Sequence, residues 1–181
     1  MAVRDKTFIP NEIYFITFTI NGWKNIFIKD EYCQLIFKWF DYVRKNYGNK
    51  VYGYVIMPNH VHCLMHISSQ SKSLPILILN AKRFLACGIV DLLEKDKNQE
   101  LLNYFQENKT DPRLKYKIFT NRYDSLIIQN RKFFLEKLNY IHKNPCQEKW
   151  QLADCSENYK YSSASNYTSN NGVYFVDIMD F

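Results

Sequence analysis

Apolar and polar positions follow two periods along this chain, and the changes between them mark its elements. Glu12 to Ile20 (EIYFITFTI) is dense in aromatic and β-branched residues with partial alternation, which predicts a strand closed by an Asn21-Gly22 turn. Asp30 and Glu31 open a helix with their carboxylates at its positive end, and Tyr32, Ile36, Trp39, Phe40, Val43 and Tyr47 recur at helical spacing until Gly48. Val51 to Met57 predicts a second strand, Pro58-Asn59 a tight turn and His60 to Ile67 a third strand. After a polar loop, Ser69 to Ser73, Ser73 can cap a helix with Pro75 in its first turn. That helix runs to about Leu93, with Ile76, Leu79, Phe84, Leu92 and Leu93 expected on or near its buried side. Lys95 to Pro112 reads as a polar excursion with a short helix near Leu101, and Lys115 to Phe119 as a fourth strand. Asn130 caps a last helix, Arg131 to about Lys143, which Pro145 stops. From Cys146 onward the chain is polar and irregular, with a short strand expected at Val173 to Ile178.

Strand, helix, strand, strand, helix, strand is the order of an α+β ferredoxin-like sandwich, with a central antiparallel sheet and helices on one face. At 181 residues the chain is expected to form a single domain, 1–181, with its core at about 12–145 and a C-terminal extension over 146–181. No apolar run is long enough to span a membrane, and Met1 to Pro10 lacks the apolar stretch of a signal peptide, so a cytoplasmic location is expected, in the bacterial cytosol or nucleoid. Cys33, Cys63, Cys87, Cys146 and Cys155 are odd in number and scattered without a CxxC pair. They are expected to be reduced, mostly buried thiols, neither a disulfide framework nor a cysteine zinc site.

Charge changes the picture. Between Arg113 and Lys143 eight basic residues face only Asp124 and Glu136, an excess that equals the whole net charge of +6. A basic excess concentrated in one segment suggests a polyanionic partner, and phosphate backbones are the usual one. Aromatic residues make up 17% of the chain, and aromatic faces beside cations suit an unpaired nucleic-acid strand, but composition alone favours a tyrosine-rich core with a solvated basic face.

Side chains alternate along a strand, so His60 and His62 share a face, roughly 7 Å apart along the chain, where two imidazoles can converge on one metal ion. His66 has the same parity but lies too far along to join that set. By itself such a pair is more often structural. On the last helix Tyr140 and Asn144 are one turn apart, on the flank of a buried stripe formed by Phe134, Leu138 and Ile141, together with Phe133 and Lys137. His142 falls on the opposite flank, as a capping or packing residue.

Met57-Pro58-Asn59-His60-Val61-His62, then about eighty residues on Lys137-Leu138-Asn139-Tyr140-Ile141-His142-Lys143-Asn144-Pro145, then Tyr161-Ser162-Ser163-Ala164, closely resembles the REP-associated tyrosine transposases. These are relatives of the single-tyrosine HUH transposases of small bacterial insertion sequences, HUH denoting His, a hydrophobic residue and His. The resemblance spans roughly Glu12 to Ile178. It implies a ferredoxin-like core with the tyrosine helix packed near the HUH strand. It implies Tyr140 as a nucleophile toward single-stranded DNA, giving a 5′-phosphotyrosine link and a free 3′-OH. It also implies His60, His62 and Asn144 as ligands of a divalent cation, Mg²⁺ or Mn²⁺. A phenol is a poor nucleophile at neutral pH, and a cation that polarises the phosphate and stabilises the leaving oxygen answers that difficulty. The substrates implied are palindromic repeats that fold into hairpins with single-stranded flanks. Lys82, Arg83, Arg113, Lys115, Lys117 and Arg122 are then candidates for holding the DNA backbone. The chain departs from the family in lacking a Gly after the tyrosine helix, where Cys146-Gln147-Glu148-Lys149-Trp150 stands, and in carrying Phe119-Thr120-Asn121-Arg122 in place of a Trp-Gln-Arg-like stretch.

The sequence thus points to a metal-dependent single-strand DNA endonuclease and strand transferase. The alternative is a catalytically silent hairpin-binding protein derived from a transposase. An RNA-binding domain of the same fold would carry aromatic ribonucleoprotein signatures, which are missing. The state, monomer or homodimer, stays open.

Overall fold

The computed structural model describes residues 8–71 and 73–179; the N-terminal stretch read against a signal peptide lies, up to residue 7, outside them. Four strands form one antiparallel sheet in the order β2-β3-β1-β4: β1 (Glu12–Thr19), β2 (Lys50–Met57), β3 (His60–Ile67) and β4 (Asp124–Ile127). Between them lie α1 (Asp30–Tyr47), α2 (Leu74–Lys95) and α3 (Gln99–Glu107), and after them α4 (Arg131–Lys143) and the short α5 (Ala164–Thr168). This is the ferredoxin-like α+β arrangement that the order of elements predicts. None of the described helices is long and apolar enough to cross a membrane.

Both faces of the sheet are covered, so the strands read as nearly continuous apolar runs. Tyr14, Ile16 and Phe18 of β1 and Val61, Cys63 and Met65 of β3 turn toward α1 and α2, which supply Ile36, Phe40, Leu85 and Ile89 to the larger core. Ile13 and Phe15, with Val55, Met57 and Leu64, turn the other way and meet Phe134, Leu138 and Ile141 of α4 in a smaller core. Two long helices therefore share one face, and the tyrosine helix packs on the other. Its approach is close: a Cβ on Gly53 of β2 would lie 2.7 Å from Leu138 Cδ1. Gly48, at φ 65°, ends α1 in the left-handed conformation that a residue without Cβ adopts freely.

Three expectations are corrected. Lys115 to Phe119 is not the fourth strand: Lys117 N donates to Phe105 O, Ile118 O accepts from Asn21 N, and Phe119 makes only an isolated bridge to Ile20. The fourth strand is the four-residue Asp-Ser-Leu-Ile of β4, paired with Tyr14 to Thr17; its brevity and polar start hide it from pattern. Val173 to Ile178 forms no strand either, although Asp177 N donates to Val51 O at 2.8 Å and so caps the edge of β2. On α2 the buried residues are Leu74, Leu77, Ile78, Ala81, Leu85, Ile89 and Leu93, whereas Ile76, Leu79 and Phe84 are exposed. That helix is apolar nearly all round, so its periodicity does not fix which side faces in. Among the thiols, Cys33 and Cys63 are buried, with burial pushing both up to about 12; Cys146 is half-buried, and Cys87 and Cys155 are exposed. The short helix expected near Leu101 is α3.

The C-terminal extension is tied to the free edge of β2. Ile56 N donates to Tyr161 O and Ser163 N to Tyr54 O, Val55 bridges Ser162, and Ser163 Oγ accepts from Tyr54 N at 3.0 Å. His142 of α4 reaches the same serine, with Nε2 2.9 Å from Ser163 Oγ. The Tyr-Ser-Ser-Ala element thus fastens the tyrosine helix to the sheet.

Candidate active site

The β1–β3 register sets Thr17 opposite His62, and the Thr17 hydroxyl lies 2.6 Å from His62 Nδ1. Phe15, two residues along on the same face, stacks on the His62 ring at 5.3 Å. The tight turn positions the second imidazole. Asn59 donates its amide N–H to Trp23 O at 3.2 Å, which turns Oδ1 toward His60 Nδ1 at 2.7 Å. That oxygen can only accept, so the His60 proton sits on Nδ1 and Nε2 carries the free lone pair. The Thr17 hydroxyl can donate or accept, and when it accepts from His62 Nδ1 the same atom, Nε2, is free on His62. Partners on the far nitrogen that fix ring and tautomer are what a metal-binding imidazole requires.

The two rings lean together to a centroid separation of 4.7 Å. Burial, reinforced by the Lys149 ammonium, lowers His60 to about 4. Burial also holds His62 well below its ordinary value, with His60, Lys149 and Lys137 acting in the same direction. Both imidazoles are therefore neutral at pH 7, the form that coordinates cations.

Tyr140 completes a row. Its ring meets His62 edge-on at 5.3 Å and Phe15 at 5.9 Å, and the residue is 41% exposed. It is supported from below and open above, because α4 presents Leu138 and Ile141 to the sheet and leaves Tyr140 on its flank. One turn on, Asn144 is 1% exposed, and its Oδ1 is buried without a hydrogen-bond partner. An orphaned buried amide oxygen costs about 1–3 kcal/mol, and it is a hard oxygen donor of the kind Mg²⁺ and Mn²⁺ take. By their chemistry, two imidazole nitrogens and an amide oxygen are a donor set that a divalent cation takes. No group of three or more His, Cys, Asp or Glu that could hold a metal ion occurs among the described residues. The missing Gly does not expose Asn144: the chain leaves α4 through a 3₁₀ turn, Asn144–Cys146, and turns at Gln151 with φ 47°.

His66 is half-buried farther along β3, with Nδ1 unpartnered, and takes no part in the row. His142 is the packing residue expected, lowered to about 4 by burial. Four of the six basic candidates have partners within the chain. Lys82 Nζ donates to Thr120 O at 2.8 Å and Arg122 O at 2.7 Å, pinning the loop before β4. Arg113 forks onto Asp111, Lys115 stands 3.7 Å from Glu94, and Lys117 donates to Thr110 Oγ1. Arg83 and Arg122 are exposed. Lys82→Met is accordingly expected to destabilise the fold by roughly 1–3 kcal/mol, as loss of charge-assisted hydrogen bonds to two carbonyls does. Urea unfolding checks this, and an unchanged midpoint would return Lys82 to the surface cations.

Sequence reasoning missed the partners of the imidazoles, Thr17 and Asn59, and the walls, Phe15 and Trp150, the latter 5.6 Å from His60. Residue parity on β1 could have found Thr17 and Phe15 once the register was known. Lys137, seen only as a flank residue, has its ammonium 5.1, 5.2 and 5.8 Å from the ring centroids of Phe15, Phe133 and Tyr140.

The buried imidazoles set a pH dependence. In the unfolded chain each titrates near 6.5, but in the folded protein burial lowers His60 and His142 to about 4 and holds His62 well below its ordinary value. Below pH 6.5 the unfolded chain binds the extra protons, so folding stability falls as pH drops toward 4, by about 1.4 kcal/mol per pH unit and group at most. Urea midpoints of metal-free protein should fall between pH 7 and pH 4.5, and His142→Gln should make that fall shallower. A flat profile would remove the neutral buried imidazoles.

No protein-family model and no curated protein matches this sequence. Among solved structures, a REP-associated tyrosine transposase bound to a REP hairpin matches with a TM-score of 0.65 and 16% identity, covering 100% of this chain and 95% of that one. A protein assigned as a transposase from Deinococcus radiodurans R1 matches with a TM-score of 0.48 and 14% identity, over 76% of this chain and 94% of that one. The chain has the fold of the REP-associated tyrosine transposase, from end to end.

Proposed function

We propose that this protein is a REP-associated tyrosine transposase: a metal-dependent single-strand DNA endonuclease and strand transferase acting on hairpin-forming DNA. The observation that carries the reading is the row His60–His62–Tyr140, with the unpartnered Asn144 Oδ1 one helical turn beyond the tyrosine. The full-length likeness in fold to a transposase bound to a hairpin supports it.

His60 and His62 through Nε2, and Asn144 through Oδ1, would hold Mg²⁺ or Mn²⁺, which when bound polarises the scissile phosphate and offsets charge on the departing oxygen. Tyr140 Oη attacks phosphorus, and its proton passes to solvent. The P–O3′ bond breaks, the 3′-oxygen takes up a proton and leaves as a 3′-OH, and the phosphoryl group stays on Tyr140 as a 5′-phosphotyrosine. Attack by that or another 3′-OH reverses the step and rejoins DNA without a nucleotide cofactor. Lys137, held on three aromatic rings beside the nucleophile, meets phosphate charge. Phe15, shared by Lys137, Tyr140 and His62, forms the apolar floor that keeps all three in place.

Incubation with labelled hairpin oligonucleotides bearing single-stranded flanks tests the reading. A denaturant-resistant protein–DNA band that forms with Mn²⁺ and not with EDTA is expected. Binding in a native gel with no covalent band in either condition would make the protein a silent hairpin binder.

A further inference from the structure

Trp23 is hard to account for by folding alone. Its indole is 62% exposed, yet its backbone has φ 56°, the left-handed region that bulky residues rarely adopt. Burial does not repay that conformation, and the turn is not loose. Trp23 N donates to Ile20 O at 3.1 Å, Asn21 N to Ile118 O at 2.8 Å, and Trp23 O accepts from Asn59 at 3.2 Å. Gly22 beside it presses on Tyr104 of α3 so closely that no Cβ would fit. The result is an exposed aromatic side chain on a fixed mount.

The mount places it at the end of the candidate site. The indole meets His60 edge-on at 5.9 Å, extending the row to Trp23, His60, His62 and Tyr140. One side chain, Asn59, ties both the Trp23 carbonyl and His60 Nδ1, so indole and imidazole are set by the same turn. On the other side of His60 stands Trp150, with the Lys149 ammonium 5.6 Å from its ring centroid, a cation for a neighbouring phosphate.

We infer that Trp23 is a stacking platform for one unpaired nucleobase of the DNA strand that crosses this row. The inference rests on the proposed function and adds a base-binding subsite to it. A strand whose phosphate reaches Tyr140 carries its neighbouring bases past the row, and an unpaired base there loses stacking unless an aromatic face replaces it. A rigid indole supplies that face at little ordering cost, and it accepts any base because every base has a π-face. The subsite therefore contributes affinity for single-stranded flanks without fixing their sequence.

The test compares wild type, Trp23→Ala and Trp23→Phe on fluorescent hairpin oligonucleotides, with randomised single-stranded flanks or with blunt ends, in EDTA so that no DNA is cleaved. Trp23→Ala should weaken binding of flanked hairpins about tenfold, the effect of losing one stacked base. Binding of blunt hairpins should stay unchanged, and Trp23→Phe should recover most of the loss. In a scan of single abasic positions along the flank, one position should weaken wild type and leave Trp23→Ala unaffected. Wild type that prefers flanked hairpins, with Trp23→Ala equal to it, overturns this subsite and leaves the proposed function standing. An equal loss on blunt and flanked hairpins overturns it as well. Wild type that binds none of the oligonucleotides overturns both.

Discussion

Tyr140→Phe is expected to abolish covalent capture of DNA, by at least about 10³-fold, while leaving affinity for the same oligonucleotide within a few-fold. The substitution removes one oxygen and keeps the ring. The edge-on contacts to His62 at 5.3 Å and Phe15 at 5.9 Å are contacts of the ring, and Phe preserves them. The flank of α4 is open at this position, so the hydroxyl loss should shift unfolding by no more than about 0.5 kcal/mol. Folding, binding and chemistry are thereby separated in one variant. Denaturing gels with Mn²⁺, fluorescence anisotropy with EDTA and urea unfolding read the three quantities. Cleavage by the variant at the wild-type rate would take Tyr140 out of the mechanism.

Removing a proposed metal donor should cost much stability at His62 and little at Asn144, and should act identically on activity. His62→Ala leaves the Thr17 hydroxyl buried without its 2.6 Å partner and opens a gap against Phe15, so metal-free stability falls by roughly 2–4 kcal/mol. Asn144→Leu keeps the branching at Cγ and deletes an oxygen that has no partner, which offsets the crowding by two bulkier methyls, so metal-free stability stays within about 1 kcal/mol of wild type. Both variants should lose at least about 100-fold in Mn²⁺-dependent adduct formation, at or beyond what loss of a supporting partner costs a metal site. An Mn²⁺ titration of adduct formation on Asn144→Leu that overlays wild type would exclude this oxygen as a ligand, and a fall in its metal-free stability as large as that of His62→Ala would sink the account of the orphaned atom.

The parts of the fold with one clear period were legible. α1 announces itself through its acidic start, a 3.6-residue apolar stripe and Gly48, and β1 and β3 through aromatic and β-branched density. The elements that were misread lack such a period. α2 is apolar on nearly every side, so Ile76, Leu79 and Phe84 gave no warning that they face outward. β4 has four residues and draws its place from pairing with β1 rather than from its own pattern. Lys115 to Phe119 alternates like a strand, but its backbone groups are spent on α3 and on the turn at Asn21. The basic candidates show a related limit: a lysine in a sequence carries a charge, and only the fold decides that Lys82 points its charge at two carbonyls.

At the candidate site the division is equally physical. Alternation along one strand put His60 and His62 on a common face, and helical spacing put Tyr140 and Asn144 on a common flank; both follow from local geometry and need nothing but the order of residues. The tertiary structure alone decided that the strand and the flank face each other. It set Thr17 and Asn59 on the far nitrogens of the imidazoles and left one amide oxygen buried without a partner. It mounted Trp23 at the end of the row. Asn59 is next to His60 in the chain, but Thr17 meets His62 across 45 positions, Trp23 meets His60 across 37 and His62 meets Tyr140 across 78, contacts fixed by the register of β1 on β3 and by the packing of α4 against Gly53, and no local pattern encodes a register.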